Sequence, residues 1–197
     1  MTLRLGMVVA AALAFVTAPA LAADKQIKPF IAVTFGGSTT FVDPDLVIGD
    51  RKLMIGAGFV VLGDLVGLDV DVGHGPGFFS GDPHLVLSSS VTTATGNVVL
   101  TLPRNLTEYF LRPYFVGGAG LMRVRRNDYF NALPVGETLG TLDVGGGATG
   151  MITNRTGVNW ELRHFRSFGR DPKLSGISLG PERLSFWRAS MALAIRY

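Results

Sequence analysis

The residues able to do chemistry are few, and their spacing limits what each could do. In "ELRHFRSFGRD" (Glu161–Asp171) a histidine, a serine and a carboxylate follow one another as His164, Ser167 and Asp171. An imidazole can take the proton of a serine hydroxyl while a carboxylate orients the ring, which is the arrangement of nucleophilic hydrolysis. In an extended chain, however, residues three apart point to opposite faces. The dyad would need the strand to end between His164 and Ser167. "GGGATG" (Gly145–Gly150) has the letters of a dinucleotide-binding turn. That chemistry needs a helix N-terminus after the glycines, and "MITNRTGVNWEL" reads as a turn and a strand. His74 and His84 could meet in one loop, but the three histidines lack metal-ligand spacing. A Walker A sequence does not occur. No cofactor, no metal and no catalytic residue is therefore expected. What remains is a set of opposite charges, Asp69, Asp71, Asp143, Glu161, Arg163 and Arg188, whose chemistry is ion pairing.

The elements that would hold these charges are strands. Of 197 residues 47% are hydrophobic, 17% are charged and 26 are glycine, with 13 Phe, no Cys and a mean hydropathy of +0.35. So apolar a chain is not disordered, and glycines in such number suit a curved, closed sheet. The formal charge is +3, and "RVRR" (Arg123–Arg126) is the only basic cluster, so a nucleic-acid partner is not expected. Residues 1–22, "MTLRLGMVVAAALAFVTAPALA", have a basic n-region at Arg4, an apolar stretch and an Ala20-Leu21-Ala22 cleavage site. They read as a secretory signal, leaving 23–197 as one domain. Export without cysteine removes disulfides as a stabiliser.

Period-two runs recur along 23–197. They cover Lys28–Gly37, Lys52–Gly63, Asp64–Gly73, Val91–Leu102, Tyr109–Val124, Thr138–Ile152, Gly157–Phe168 and Glu182–Tyr197. Eight strands is an even count. The links after the second, fourth and sixth runs read as short (Gly63-Asp64, Pro103–Glu108, Asn154-Arg155). The others read as long, and this alternation marks an outer-membrane barrel with short periplasmic turns and long external loops. Pro29 and Pro113 fit badly, because proline removes a ladder bond.

A membrane barrel is apolar outside and polar inside. The third run fits, with Val66, Leu68, Val70 and Val72 on one face and Asp69 and Asp71 on the other. The eighth places Trp187, Ala189, Met191, Leu193, Ile195 and Tyr197 outward, and Arg188, Ser190, Ala192, Ala194 and Arg196 inward. The seventh sets Val158, Trp160 and Leu162 against Asn159, Glu161 and Arg163. An eight-stranded lumen is just wide enough to be filled by side chains. The six charges should therefore pair, forming a plug near Glu161, Arg163 and Arg188 rather than an open pore. Aromatic girdles are expected at Tyr197, Tyr109 and Phe110 on the periplasmic side, and at Trp187, Phe186, Phe165 and Tyr129 on the external side.

"LRPYFVGGAGLMRV" (Leu111–Val124), "GGGATGMITNRTGVNWELRHF" (Gly145–Phe165) and the terminal "MALAIRY" together resemble small outer-membrane β-barrel proteins of the OmpA/OmpW/opacity type. The resemblance covers 23–197. It implies an all-β, eight-stranded antiparallel up-and-down transmembrane barrel in the outer membrane of a Gram-negative bacterium, without an added peptidoglycan-binding domain. It implies outer-membrane lipids and lipopolysaccharide as surroundings, and a monomer. It also implies recognition by the outer-membrane assembly machinery through Met191, Leu193, Ile195 and Tyr197. Three roles follow from it. The first is a non-enzymatic structural or surface-interaction barrel. The second is an OmpW-like channel for small or hydrophobic solutes, with "PGFFSGDPHLVL" (Pro76–Leu87) as an apolar external loop. The third is a lipid A deacylase. That enzyme's pattern is His-x-Ser followed by Asn, whereas this chain has His-x-x-Ser followed by Phe168.

Overall fold

The computed structural model describes residues 24–39, 51–78, 86–103, 111–128, 135–168, 173–174, 177–178 and 183–197. Eight long strands carry the fold: β1 (Asp24–Thr39), β2 (Lys52–Leu62), β3 (Val66–Pro76), β4 (Val86–Thr101), β5 (Leu111–Asp128), β6 (Val135–Met151), β7 (Thr156–Ser167) and β8 (Leu184–Arg196). Each pairs antiparallel with its neighbours in sequence, and β8 pairs back to β1, closing a barrel. Closure leaves no unpaired edge, the condition a sheet must meet in lipid. A two-residue ladder, Lys173–Leu174 with Ile177–Ser178, lies between β7 and β8 in sequence. The signal segment 1–22, His84, Tyr109, Phe110, Tyr129 and Asp171 lie outside the described residues.

Several strands run further than their apolar patterns suggest. β1 starts at Asp24, β3 continues through His74 to Pro76, β4 starts at Val86, β5 continues to Asp128 and β6 starts at Val135. The extensions are polar, so hydropathy reads them as loop. The alternation nevertheless persists in β3, where Gly73 and Gly75 are buried and His74 and Pro76 exposed. The expected strict alternation of link lengths does not hold. The β4–β5 connection takes residues 102–110, whereas β5–β6 takes only 129–134. Pairing between β5 and β6 continues up to Arg126↔Val135, using residues that read as a long loop. The β6–β7 connection is a tight turn in which Ile152 N donates to Thr156 O at 2.9 Å and Thr153 Oγ1 accepts from Thr156 N at 2.9 Å.

Both prolines sit where the ladder can lose a bond. The β1–β8 ladder omits Lys28 and Pro29, with unchanged register from Ile27↔Ile195 to Phe30↔Ala192. Pro113 stands opposite the end of β4, where its carbonyl accepts from Leu102 N at 3.2 Å. Near the other end of β1 the register shifts between Phe35 and Ser38. Gly36 there has φ 53°, a left-handed conformation that a glycine adopts without strain.

Candidate functional site

The sheet's pleat sends alternate side chains into the lumen, and the inward rows carry every charge of the expected set. Asp69 and Asp71 (β3), Asp143 (β6), Glu161 and Arg163 (β7) and Arg188 (β8) are all buried. The structure brings them into one network. Arg163 Nη2 lies 2.7 Å from Asp69 Oδ2, Nη1 lies 3.1 Å from Asp143 Oδ2, and Nε lies 2.5 Å from Glu161 Oε1. In the closed strand order β7 and β3 are four places apart, on opposite walls, so the Arg163–Asp69 pair crosses the lumen. Arg188 grips Asp71 with both terminal nitrogens, at 2.8 and 3.0 Å, and reaches Glu161 Oε1 at 3.5 Å.

The two arginines face each other directly across the β7–β8 ladder. Like charges so placed repel. Glu161 touches both, and the bidentate Asp71 contact draws Arg188 towards β3. Arg188 is also held between rings, with its guanidinium carbon 4.6 Å from the Phe30 centroid and 4.9 Å from that of Phe165. Such cation–π contacts partly replace lost hydration.

Sequence reasoning missed several members. Lys28 Nζ stands 3.6 Å from Asp69 Oδ1, and Asn97 Nδ2 donates to Asp69 Oδ2 at 3.0 Å. Tyr114 donates its hydroxyl proton to Glu161 Oε2 at 2.7 Å and accepts from Asn159 Nδ2 at 2.9 Å. A separate clamp joins the first and last strands at the turn end: Arg196 Nε and Nη2 each reach Asp24 at 2.6 Å. The signal available for Lys28 was its shared parity with Phe30, but the continuous apolar run Pro29–Val33 hides the alternation of β1.

Glycine makes room for this network. A Cβ on Gly118 would lie 2.2 Å from both Asn97 Oδ1 and Gly96 O. Gly118 is opposite Asn97 on one side and Asp143 on the other. Gly118→Val is expected to lower the barrel's stability by about 1–3 kcal/mol through overpacking. The midpoint of urea unfolding in lipid vesicles measures it, and an unchanged midpoint would contradict the packing. Gly145–Gly150, the segment with dinucleotide-turn letters, lies within β6 and pairs with Val158–Arg163 of β7. It is strand throughout and leads into a turn, so no helix N-terminus faces a phosphate there.

The other tempting residues are kept apart. His164 points outward against Trp187, at 4.9 Å between rings. Ser167 points inward and accepts from Leu184 N at 2.8 Å. His74 is exposed, with Nδ1 2.9 Å from Thr92 Oγ1. Among the described residues no group of three His, Cys, Asp or Glu could hold a metal ion.

The outer wall is apolar. Ile31, Leu53, Ile55, Leu68, Val70, Val98, Leu121, Val144, Leu162, Met191 and Leu193 are all exposed. Met191, Leu193, Ile195 and Tyr197 thus share the outward row at the chain's end, and Tyr197 lies 6.4 Å from Phe59. A patch this large is not tolerated in water. Exposed Phe59, Phe115, Trp160 and Tyr197 lie towards the turns, and Phe35, Phe168 and Trp187 towards the loops. Phe165 and Phe186 depart from the expected girdle. They share the inward parity of Arg163 and Arg188, are buried, and stack on each other at 5.2 Å with Phe78 5.1 Å from Phe186. Their place near the strand ends suggested a girdle, but the pleat turns them inside.

No protein-family profile matches this chain, and no curated protein matches it. Solved structures do. Neisserial surface protein A superposes with a TM-score of 0.65 at 10% identity, over 88% of this chain and 97% of that one. The outer membrane protein OprG of Pseudomonas aeruginosa gives 0.61 at 14% identity, over 89% and 96%. Outer membrane protein W of E. coli gives 0.57 at 13% identity, over 89% and 98%. With an apolar wall, a polar lumen and a closed ring of eight antiparallel strands, the chain has the fold of the small outer-membrane β-barrel proteins.

Proposed function

We propose that this protein is a non-enzymatic outer-membrane barrel with a structural or surface-interaction role, its lumen closed to solutes by charged side chains. The Arg163–Asp69 ion pair carries the reading, because it joins opposite walls at 2.7 Å. Around it the remaining charges, Tyr114 and the buried phenylalanines Phe30, Phe78, Phe165 and Phe186 fill the cross-section. Such a barrel gains rigidity from its interior and offers its loops and outer wall to partners. The turns face the periplasm and the loops the exterior, as in outer-membrane barrels generally. Outer-membrane lipids and lipopolysaccharide surround it as a monomer. The row Met191, Leu193, Ile195 and Tyr197 serves as the recognition strand for the assembly machinery. Vesicles carrying the purified barrel should not swell in isotonic solutions of small sugars. Swelling at rates well above those of empty vesicles would overturn the closed-lumen reading.

A second reading has one observation in its favour. A shallow cleft of about 20 Å³ opens at the loop end, lined by Thr34, Phe35, Lys52, Phe78, Leu184 and Phe186 among others. It lies at the register shift in the β1–β8 seam. If the seam widened there, a hydrophobic solute could pass sideways into lipid without crossing the ion pairs. Under this reading, cells given the protein would take up a medium-chain alkane faster than cells without it. The deacylase reading gains nothing from the described residues, since His164 and Ser167 face opposite sides of the wall.

A further inference from the structure

The barrel's charges are segregated between its faces. Among the described residues, every strand carboxylate whose side chain is described points inward: Asp24, Asp69, Asp71, Glu137, Asp143 and Glu161. Among the strand residues whose side chains are described, every charge turned outward is basic. Towards the loops these are Arg123 and Arg125 on β5 and Arg166 on β7, all exposed. Charges on a lipid-facing wall are costly within the hydrocarbon, so their position marks where the hydrocarbon ends.

That boundary is sharp. On β5 the outward row is Leu111, Pro113, Phe115, Gly117, Ala119 and Leu121, then Arg123 and Arg125. From Leu111 to Leu121 a tilted strand spans about 25 Å of height, the thickness of an outer-membrane apolar band. The neighbouring strands change character at the same ladder positions. The row His74–Thr92–Arg123–Thr138 runs across β3, β4, β5 and β6 as direct cross-strand partners. One residue pair nearer the turns lie Val72, Ala94 and Leu121, all exposed and apolar. One pair nearer the loops, Arg125 is flanked by Ser90 and Gly136. A Cβ on Gly136 would meet nothing within 4 Å, so this flank is open.

We infer that Arg123 and Arg125, with Thr92 and Thr138 beside them, bind the phosphate groups of an outer-leaflet phosphoglycolipid such as lipid A. This rests on the outer-membrane reading above and assigns residues to its lipid partner. A guanidinium gives a phosphate two parallel donors in fixed geometry, and the flanking hydroxyls add further donors about 5 Å away across the ladder. Acyl chains would lie down the apolar row from Leu121 to Leu111. Among the described residues an anionic headgroup meets no carboxylate on this wall, and the same cations would repel a cationic partner. Exposed guanidinium heads just above an apolar band are the charge and shape complement of that lipid.

The test uses the full mature barrel, purified in zwitterionic detergent and incubated with bisphosphorylated lipid A. Native mass spectrometry then counts lipids retained per barrel. Three comparisons are needed: Arg123→Gln with Arg125→Gln; Lys25→Gln with Arg155→Gln, which removes basic groups at the turn end; and the wild type with dephosphorylated lipid A. The expected result is retention reduced at least about tenfold, the effect of losing roughly 1.4 kcal/mol of contact, by the β5 pair and by dephosphorylation, with little change for the turn-end pair. Excess inorganic phosphate should not displace the lipid, because it lacks the acyl chains. Equal retention by the β5 variant, or equal loss in both pairs, would overturn the assignment. Both pairs are exposed, so heat-shifted migration on gels should confirm that each variant is folded. A failure here would leave the closed-lumen reading intact, since no swelling assay depends on these arginines.

Discussion

Arg163→Ala should destabilise the barrel by about 3–5 kcal/mol, the cost of leaving buried charges without their partner. Arg163 is 1% exposed in its side chain and holds Asp69, Asp143 and Glu161 together. Its removal leaves three carboxylates in a confined space with, among the described residues, Lys28 beside Asp69 and Arg188 beside Glu161. The loss also removes the Arg163–Asp69 tie between β7 and β3 across the lumen. Equilibrium unfolding in urea, followed by Trp fluorescence in lipid vesicles, would read the change. A shift below about 1 kcal/mol would mean that water already solvates these groups. Arg163→Lys should recover part of the loss, because a compact ammonium cannot reproduce three directed contacts. Replacing Arg163 by Met together with Asp143→Asn and Glu161→Gln should recover more, since it removes those two carboxylates along with the arginine while Asp69 keeps Lys28 and Arg188 keeps Asp71.

Val70→Arg tests the opposite face. Val70 lies in the middle of the outward row of β3 and is exposed, with Phe59 and Gly96 as its cross-strand partners. At the centre of a bilayer an added arginine costs about 2–4 kcal/mol. At a water-exposed position the same change would fall within about 0.5 kcal/mol. The expected result is a loss of about 2–4 kcal/mol in the same vesicle assay, together with a lower yield of heat-shifted, folded barrel. An effect within half a kcal/mol would mean that this wall does not face lipid.

The fold was legible because a single period governs it. In "DLVGLDVDVG" each odd-even step distinguishes Asp69 and Asp71 from Val70 and Val72, and the barrel obeys that step throughout β3. The same rule, applied to Phe165 and Phe186, would have turned both inside. Reading their position along the strand instead of their parity put them on the wrong face. Strand ends were less legible, because hydropathy reports the lipid band while backbone pairing continues beyond it. His74, Ser90 and Arg125 are strand residues beyond the apolar outward rows. Which charges would meet was harder still. Parity makes Asp69 and Arg163 inward residues 94 positions apart, but only the stagger of eight paired strands places them opposite each other. Tyr114, Asn97 and Asn159 complete that network through register alone. Glycine was informative in number and not in place. Gly118 is needed because Asn97 lies beside it, a fact of pairing that no local pattern records.

Single-channel recording in planar lipid bilayers tests the central claim most directly, that charges joined across the lumen close this barrel. The wild-type protein, inserted and shown to be folded by its heat-shifted migration, should give no discrete current steps at moderate voltages. Stable steps of uniform size from the wild type would show that ions pass the Arg163–Asp69 crossing, and would contradict the account.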